Sequence, residues 1–157
     1  MENCVPFQWS SKETGVAILR SDKLKFIPNP VIRDEERHYI ILKGSIQQDD
    51  LTIINMHAPN AGAAKYNSQL VTKIKTYLAN STLKRGDFNM SLSVNDTSSK
   101  PNISKETRAF NDALHQMDFT DIYRTLETNA TEYTFFSSAQ GTLSKIDHIL
   151  GHKSGLN

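Results

Sequence analysis

The chain has 157 residues, 18 basic and 17 acidic side chains for a formal charge of +1, 38% apolar residues and one cysteine. That is the length of one domain rather than two, with a globular composition that is lean in apolar residues. The longest apolar runs, Val16–Leu19 and Tyr39–Leu42, are four residues long, far short of the ~20 needed for a helical membrane span. The first residues, Met1 to Pro6, lack the basic and apolar regions of a secretory leader. A lone Cys4 excludes a disulfide framework and a cysteine zinc centre. The expectation is a soluble, intracellular protein with no membrane partner.

Charge is uneven along the chain. Residues 61–110 carry 8 basic against 3 acidic side chains, net +5, whereas residues 111–157 carry 3 against 6, net −3. A +5 segment is able to follow a phosphate backbone. The blander reading, a solvated helix face with scattered lysines, is favoured because no basic cluster exceeds two in a row.

In chain order, Gly15–Arg20 reads as a short β-branched strand, and Leu24–Ile27 as another that Pro28 and Pro30 end. His38–Ile46 and Leu51–Met56 are strong strands joined by a hairpin at Gln47–Asp50. Their near-continuous apolar runs predict burial on both faces. Leu70, Val71, Ile74, Tyr77 and Leu78 fall on one helical face and predict a helix over Ala64–Ala79. Ser81–Arg85 then leads into Gly86-Asp87-Phe88-Asn89, with Gly86 allowing a tight bend, and a polar loop fills Ser91–Asn102. Ser104 is the candidate N-cap of a second helix marked by Phe110, Ala113, Leu114 and Met117. Asp121–Leu126 forms one further turn. Glu132–Ser137 and Ser144–Leu150 read as strands joined by the loop Ser138–Thr142. The fold class is mixed α/β, sheets backed by helices.

Four places could carry chemistry. His57 follows a strand, where α/β sites gather, and could donate a proton or polarise a phosphate oxygen; an ordinary strand-exit histidine fits as well. Asp87 and Asn89 share a face if extended, and a carboxylate beside an amide can orient a water and hold an anionic oxygen; a plain Gly-Asp turn is the alternative. Thr134 could donate to phosphate, although the string around it also reads as a simple strand. Asp147 sits among apolar neighbours and calls for a partner. His148 is not that partner, because adjacent strand residues face opposite ways.

Together and in this order, the strings Gly15-Val-Ala-Ile-Leu, Lys43-Gly-Ser-Ile-Gln-Gln, Ala58-Pro-Asn, Gly86-Asp-Phe-Asn, Asp121-Ile-Tyr-Arg-Thr-Leu, Thr131-Glu-Tyr-Thr-Phe-Phe and Ser144-Lys-Ile-Asp-His-Ile resemble the endonuclease/exonuclease/phosphatase superfamily. Within it they are similar to the endonuclease domain of LINE-type retrotransposons. The resemblance divides the chain into a divergent segment, 1–14, and an incomplete domain, 15–157. It implies a four-layer α/β sandwich of two packed mixed sheets flanked by helices, present here in part and truncated. It also implies Mg²⁺-dependent hydrolysis of a DNA phosphodiester. Carried over by motif, Asp87 resembles the carboxylate that activates water and Asn89 the amide that holds phosphate. His57 stands where these retrotransposon endonucleases have tyrosine and deoxyribonuclease-like members have histidine. Asp147 resembles a carboxylate that orients a catalytic histidine. Thr134, Ser144 and Ile146 resemble DNA-contacting positions at the base of a hairpin, Ser137–Thr142, that probes the minor groove.

The departures matter as much. The family's upstream Gln-Glu metal motif and its final Ser-Asp-His motif have no counterparts in this sequence, so no metal-ligand set is complete. Lys84 and Arg85 occupy a strand that is normally apolar. The expectation is a DNA-directed nuclease fragment, impaired or inactive, with a non-catalytic DNA-binding module or a pseudogene remnant as the alternatives. Nuclear residence is expected only from the DNA substrate.

Overall fold

The structure is a computed structural model and describes residues 15–19, 21, 23–77, 82–99, 103–127 and 132–155. Segment 1–14, the predicted helix end at Leu78–Ala79 and Thr131 lie outside the described residues. Among the described residues eight strands and three α-helices follow in chain order: β1 Phe26–Arg33, β2 Tyr39–Ile46, β3 Asp49–His57, α1 Ala63–Ile74, β4 Thr82–Asp87, α2 Lys105–Gln116, β5 Phe119–Asp121, α3 Ile122–Leu126, β6 Phe135–Ser137, β7 Thr142–Ser144 and β8 Asp147–His152. Six strands form one mixed sheet in the order β1-β2-β3-β4-β8-β5, and β6 and β7 form a separate hairpin. Among the described residues, only β3 and β4 pair in parallel, and the crossover between them includes α1, as a parallel connection requires.

Strand parity divides the sheet into two unlike faces. Tyr39 and Ile41 of β2, Ile54 and Met56 of β3 and Leu150 of β8 are buried on one face. They pack with Leu70, Val71 and Ile74 of α1 and with Phe110 and Leu114 of α2. The opposite face presents Ile40, Leu42 and Ile53, all half-buried, and Ile149, which is 38% exposed. Among the described residues helices cover one face only, so the expected burial on both faces is met on one. Val16 and Phe26 supply buried apolar surface outside the main core, and Gly44 leaves the space that the Phe26 ring occupies.

Several local expectations change. Gly15–Leu19 joins no ladder; Val16 is buried, and the Ala17 carbonyl accepts from Asn55 Nδ2 at 2.8 Å. Its β-branched run is satisfied by packing and a side-chain bond rather than by strand pairing. Pro28 and Pro30 do not end β1, because it is an edge strand, where a missing N–H is tolerated. The pairing with β2 shifts between Asn29 and Val31, beside Pro30. The β2–β3 turn has only two residues, Gln47 and Gln48, at φ 51° and 76°. That is primed-turn geometry without the usual Asn-Gly, so paired strands set the turn rather than turn chemistry.

The strand expected over Ser144–Leu150 is split at Lys145 and Ile146. The Lys145 N–H is diverted to the Asp96 carbonyl at 2.7 Å and the Ile146 N–H to Thr134 Oγ1 at 3.1 Å. Glu132–Ser137 narrows to β6, and β5, which no pattern announced, pairs with β8. The second helix starts as expected, with Ser104 Oγ accepting the Thr107 N–H at 3.1 Å. Asp121 caps α3 by accepting the Tyr123 N–H at 3.0 Å.

Gly86 does not make a bend. It lies inside β4, and a Cβ there would come within 1.9 Å of the Met56 carbonyl oxygen, at φ 152°. Glycine lets β3 and β4 meet at this point. The feared burial of cations in β4 does not occur at Arg85, which is exposed; the Lys84 side chain lies outside the described residues.

Candidate active site

The site forms where three adjacent strands reach the same end of the sheet. The ladders place His57 of β3 opposite Asp87 of β4, and Asp87 opposite Asp147 of β8. Parity sets all three on the face away from the helices. His57 and Asp87 are therefore neighbours. His57 Nδ1 lies 3.4 Å from Asp87 Oδ2, with the side chains 41% and 26% exposed.

Asn89 is close to Asp87 for a different reason from the one expected. It does not extend the strand; it sits in a turn with φ 48°. Its backbone N–H donates to Asp87 Oδ1 at 2.8 Å, an Asx-type bond that closes the turn on the carboxylate. Its side-chain Nδ2 donates to the Ala58 carbonyl, and the Ala58 N–H donates to the Asp87 carbonyl at 2.8 Å. The exits of β3 and β4 are thus bonded into one unit. An amide nitrogen carries two hydrogens, so one N–H of Asn89 remains for a ligand.

Asp147 is exposed at the head of β8, so it needs no buried partner and the expected desolvation penalty does not arise. His148 is buried on the other face, as strand alternation requires. Thr134 Oγ1 accepts the N–H groups of Ile146 at 3.1 Å and Asp147 at 3.3 Å, and the Thr134 N–H donates to the Ser144 carbonyl at 2.9 Å. The Phe88 N–H donates to the Ile146 carbonyl at 2.9 Å. Thr134, Ser144 and Ile146 therefore tie the β6–β7 hairpin to the site through backbone groups and the Thr134 hydroxyl. The hairpin itself exposes Phe135, Phe136 and Leu143. Beside it, a cleft of about 250 Å³ is lined by hydroxyls that include Ser91, Ser93, Thr97, Ser99 and Ser144.

Beneath the turn lies a polar network with no sequence signature. Asn67 of α1 is fully buried and donates through Nδ2 to the Phe88 carbonyl at 2.9 Å. His148 Nε2 bonds the Met90 carbonyl at 3.1 Å, and its Nδ1 meets Asp121 Oδ2 at 2.9 Å. The Phe88 ring meets the His148 ring edge-on at 5.5 Å. Lys145 Nζ, also buried, sits 3.7 Å from Asp121 Oδ2 and 3.8 Å above the centre of the Tyr123 ring. Burial raises the Asp121 carboxyl, but the hydrogen bond and charge of His148, the Lys145 charge and the Arg124 N–H outweigh it and hold the group below its ordinary value. Nearby, buried Asp96 pairs with Arg124 and also accepts the Leu92 and Ser93 N–H groups at 2.9 and 2.7 Å, fixing the loop after the turn.

Among the described residues, most cations of the 61–110 segment lie away from this face. Lys65, Lys73 and Lys75 are exposed on or just after α1, and Lys105 and Arg108 are exposed on α2. That matches the solvated-helix reading of the basic segment. Arg85, opposite Asn55 in the ladder, is on the site face.

Oxygen donors of the kind Asp87, Asp147 and Asn89 offer suit a hard divalent cation. Two carboxylates directly opposite each other repel, and a cation would relieve that. The donor chemistry fits magnesium, although the two carboxylates are joined by no third among the described residues. The one group of three converging histidine and carboxylate ligands among those residues, Asp34, Glu36 and His38, lies instead in the β1–β2 connection.

No family model matches the chain. Solved structures do. The endonuclease domain of TRAS1, a telomere-specific non-LTR retrotransposon, superposes with a TM-score of 0.63 at 9% identity over 88% of this chain and 60% of its own. The Xenopus laevis APE2 catalytic domain gives 0.60 at 18% identity, over 76% of this chain and 47% of its own. Danio rerio TDP2 complexed with a single-strand DNA product gives 0.58 at 12% identity, over 84% and 55%. The chain shares the fold of these structures, an α/β sandwich. The described residues supply one large sheet, a small one and a helix layer of that sandwich. The chain spans about half to three fifths of the length of these structures.

Proposed function

We propose that the open sheet face is a DNA phosphodiester site, with magnesium as its cation, and that these residues alone hydrolyse DNA feebly. The observation that carries this is the meeting of Asp87, His57 and Asn89 at paired strand ends, in a fold shared with structures named as an endonuclease and as a DNA-product complex. A nucleic-acid strand would lie across the Asp87 end of the sheet against the hairpin. The spare N–H of Asn89 would hold a phosphate oxygen. Asp87 Oδ2 would orient a water for in-line attack, and a protonated His57 would give its proton to the departing oxygen. A bound cation held by Asp87 and Asn89 would supply charge neutralisation.

Two features keep the expected rate low. Asp87 Oδ1 is already committed to the Asn89 N–H. Among the described residues, Asp147 is the only other carboxylate in register with Asp87. Catalytic groups that act as a unit lose nearly all rate when one is missing. Binding survives such a loss. Fluorescence anisotropy with a labelled duplex should show association that weakens as salt rises. Charge reversal at Arg85, on the site face, should weaken it more than charge reversal at Lys65 on α1. Absence of binding at low salt would refute the DNA reading.

A further inference from the structure

Asn89 is the one residue of the site held in a left-handed backbone conformation, at φ 48°. Asparagine visits that region more readily than most residues but does not prefer it. Something must hold it there, and the carbonyls of its two sequence neighbours, Phe88 and Met90, are each taken by a buried side chain. Asn67 Nδ2, from α1, donates to the Phe88 carbonyl at 2.9 Å. His148 Nε2, from β8, bonds the Met90 carbonyl at 3.1 Å. Asn67 is fully buried and His148 is 2% exposed. Neither lies on the open face where His57, Asp87 and Asp147 stand.

We infer that Asn67 and His148 are positioning residues that clasp the carbonyls flanking Asn89 and so fix its amide beside the Asp87 carboxylate. This rests on the proposed site, because only there does the placement of Asn89 matter to a ligand. The chemistry of the two side chains supports it. Asn67 Oδ1 is buried with no hydrogen-bond partner among the described residues. An apolar side chain would avoid that penalty, so the donor end of the amide is what the position uses. His148 is anchored from behind, since Nδ1 meets the Asp121 carboxylate at 2.9 Å. Asp121 in turn caps α3 through the Tyr123 N–H. The clasp therefore connects the turn to α1 on one side and, through β8 and Asp121, to α3 on the other. Packing alone would hold Phe88 in place; the paired carbonyl bonds fix the Phe88–Asn89 and Met90–Ser91 peptide planes, which bracket the turn at Asn89.

The donor positions allow a clean test. In a glutamine at position 148 the amide nitrogen falls where Nε2 is and can still reach Met90; in an asparagine it falls where Nδ1 is and reaches only Asp121. Amide hydrogen exchange of Asn89, read by NMR on the whole chain, reports the Asn89 N–H to Asp87 bond without DNA or activity. His148→Asn and Asn67→Ser should each speed Asn89 exchange about tenfold or more while leaving Ile54 of β3 protected, and His148→Gln should keep Asn89 near the wild-type rate. Duplex binding by anisotropy should weaken in the same order. Unchanged Asn89 exchange in both His148→Asn and Asn67→Ser would overturn the clasp. So would equal acceleration at Asn89 and Ile54, which marks a general loss of structure. If the His148 variants fail to fold, the Asn67→Ser pair of rates decides alone. A wild-type chain that binds no DNA would sink the site reading, and the exchange rates would still decide whether the carbonyls are clasped.

Discussion

The two faces of the six-stranded sheet are made from the same strands and behave as different materials. On the helix side, Ile41, Ile54, Met56 and Leu150 are almost wholly out of solvent. On the other, one residue along each strand, stand His57, Asp87 and Asp147, all reachable by water. A single residue's offset separates cohesion from chemistry, because side chains alternate with a period of two. The comparison also shows how each serves the other. The exposed turn is shaped by buried groups that touch no ligand, and its carboxylates are free to repel because the opposite face carries the stability.

Substitutions on the two faces should separate sharply in size. The largest effect is expected for Gly86→Ala, whose Cβ would overlap the Met56 carbonyl at 1.9 Å. Neither strand can yield there without breaking the ladder, so the variant should give no cooperative melt by circular dichroism. Phe110→Ala removes a fully buried ring and should cost about 3–5 kcal/mol in denaturant unfolding. A loss under about 1 kcal/mol would show that α2 does not close the core.

Beneath the turn the effect should be intermediate and depend on pH. The Asp121 carboxyl is held below its ordinary value by His148 and Lys145 despite its burial. Its stabilisation is therefore fully present above the ordinary carboxylate value and lost as pH falls through the lowered one. Melting temperature should drop on acidification below about pH 4, and Asp121→Asn should flatten that drop. At neutral pH the same variant, which weakens a buried charge pair, should cost about 3 kcal/mol. Identical pH profiles for the two proteins would remove Asp121 from this role. On the open face Asp147→Asn should raise stability slightly, by about 0.5 kcal/mol, because it relieves repulsion across the Asp87 pair. A clear destabilisation would mean that Asp147 has a partner there.

Much of this contrast could be read before the fold was known. The apolar runs of β2 and β3, the helical spacing of Leu70, Val71 and Ile74, and the Ser104 cap are local signals, and each element appears where its signal stood. His57 could be singled out at a strand exit, Asp87 by its Gly-Asp-Phe-Asn string and Asp147 as a carboxylate among apolar neighbours. What could not be read is long-range polar bonding. Asn67 reaches across 21 residues to Phe88, His148 across 58 to Met90 and 27 to Asp121. No period or turn residue encodes such partners, so Asn67 looked like any polar residue of α1 and His148 like the idle neighbour of Asp147. Gly15–Leu19 misled for the opposite reason. Its composition suits a strand, but composition does not say whether a neighbouring ladder is there to receive it.

The central claim is that the Asp87 turn has the parts to bind a DNA phosphodiester and too few to cleave it efficiently. Nicking of supercoiled plasmid by the purified chain, with Mg²⁺ or with chelator and beside Asp87→Ala, tests it most directly. The account predicts at most a trace of nicking above the chelator and Asp87→Ala background, even at protein concentrations where duplex is bound. Brisk Mg²⁺-dependent nicking that disappears in Asp87→Ala would contradict it and show that these residues form a sufficient catalytic unit.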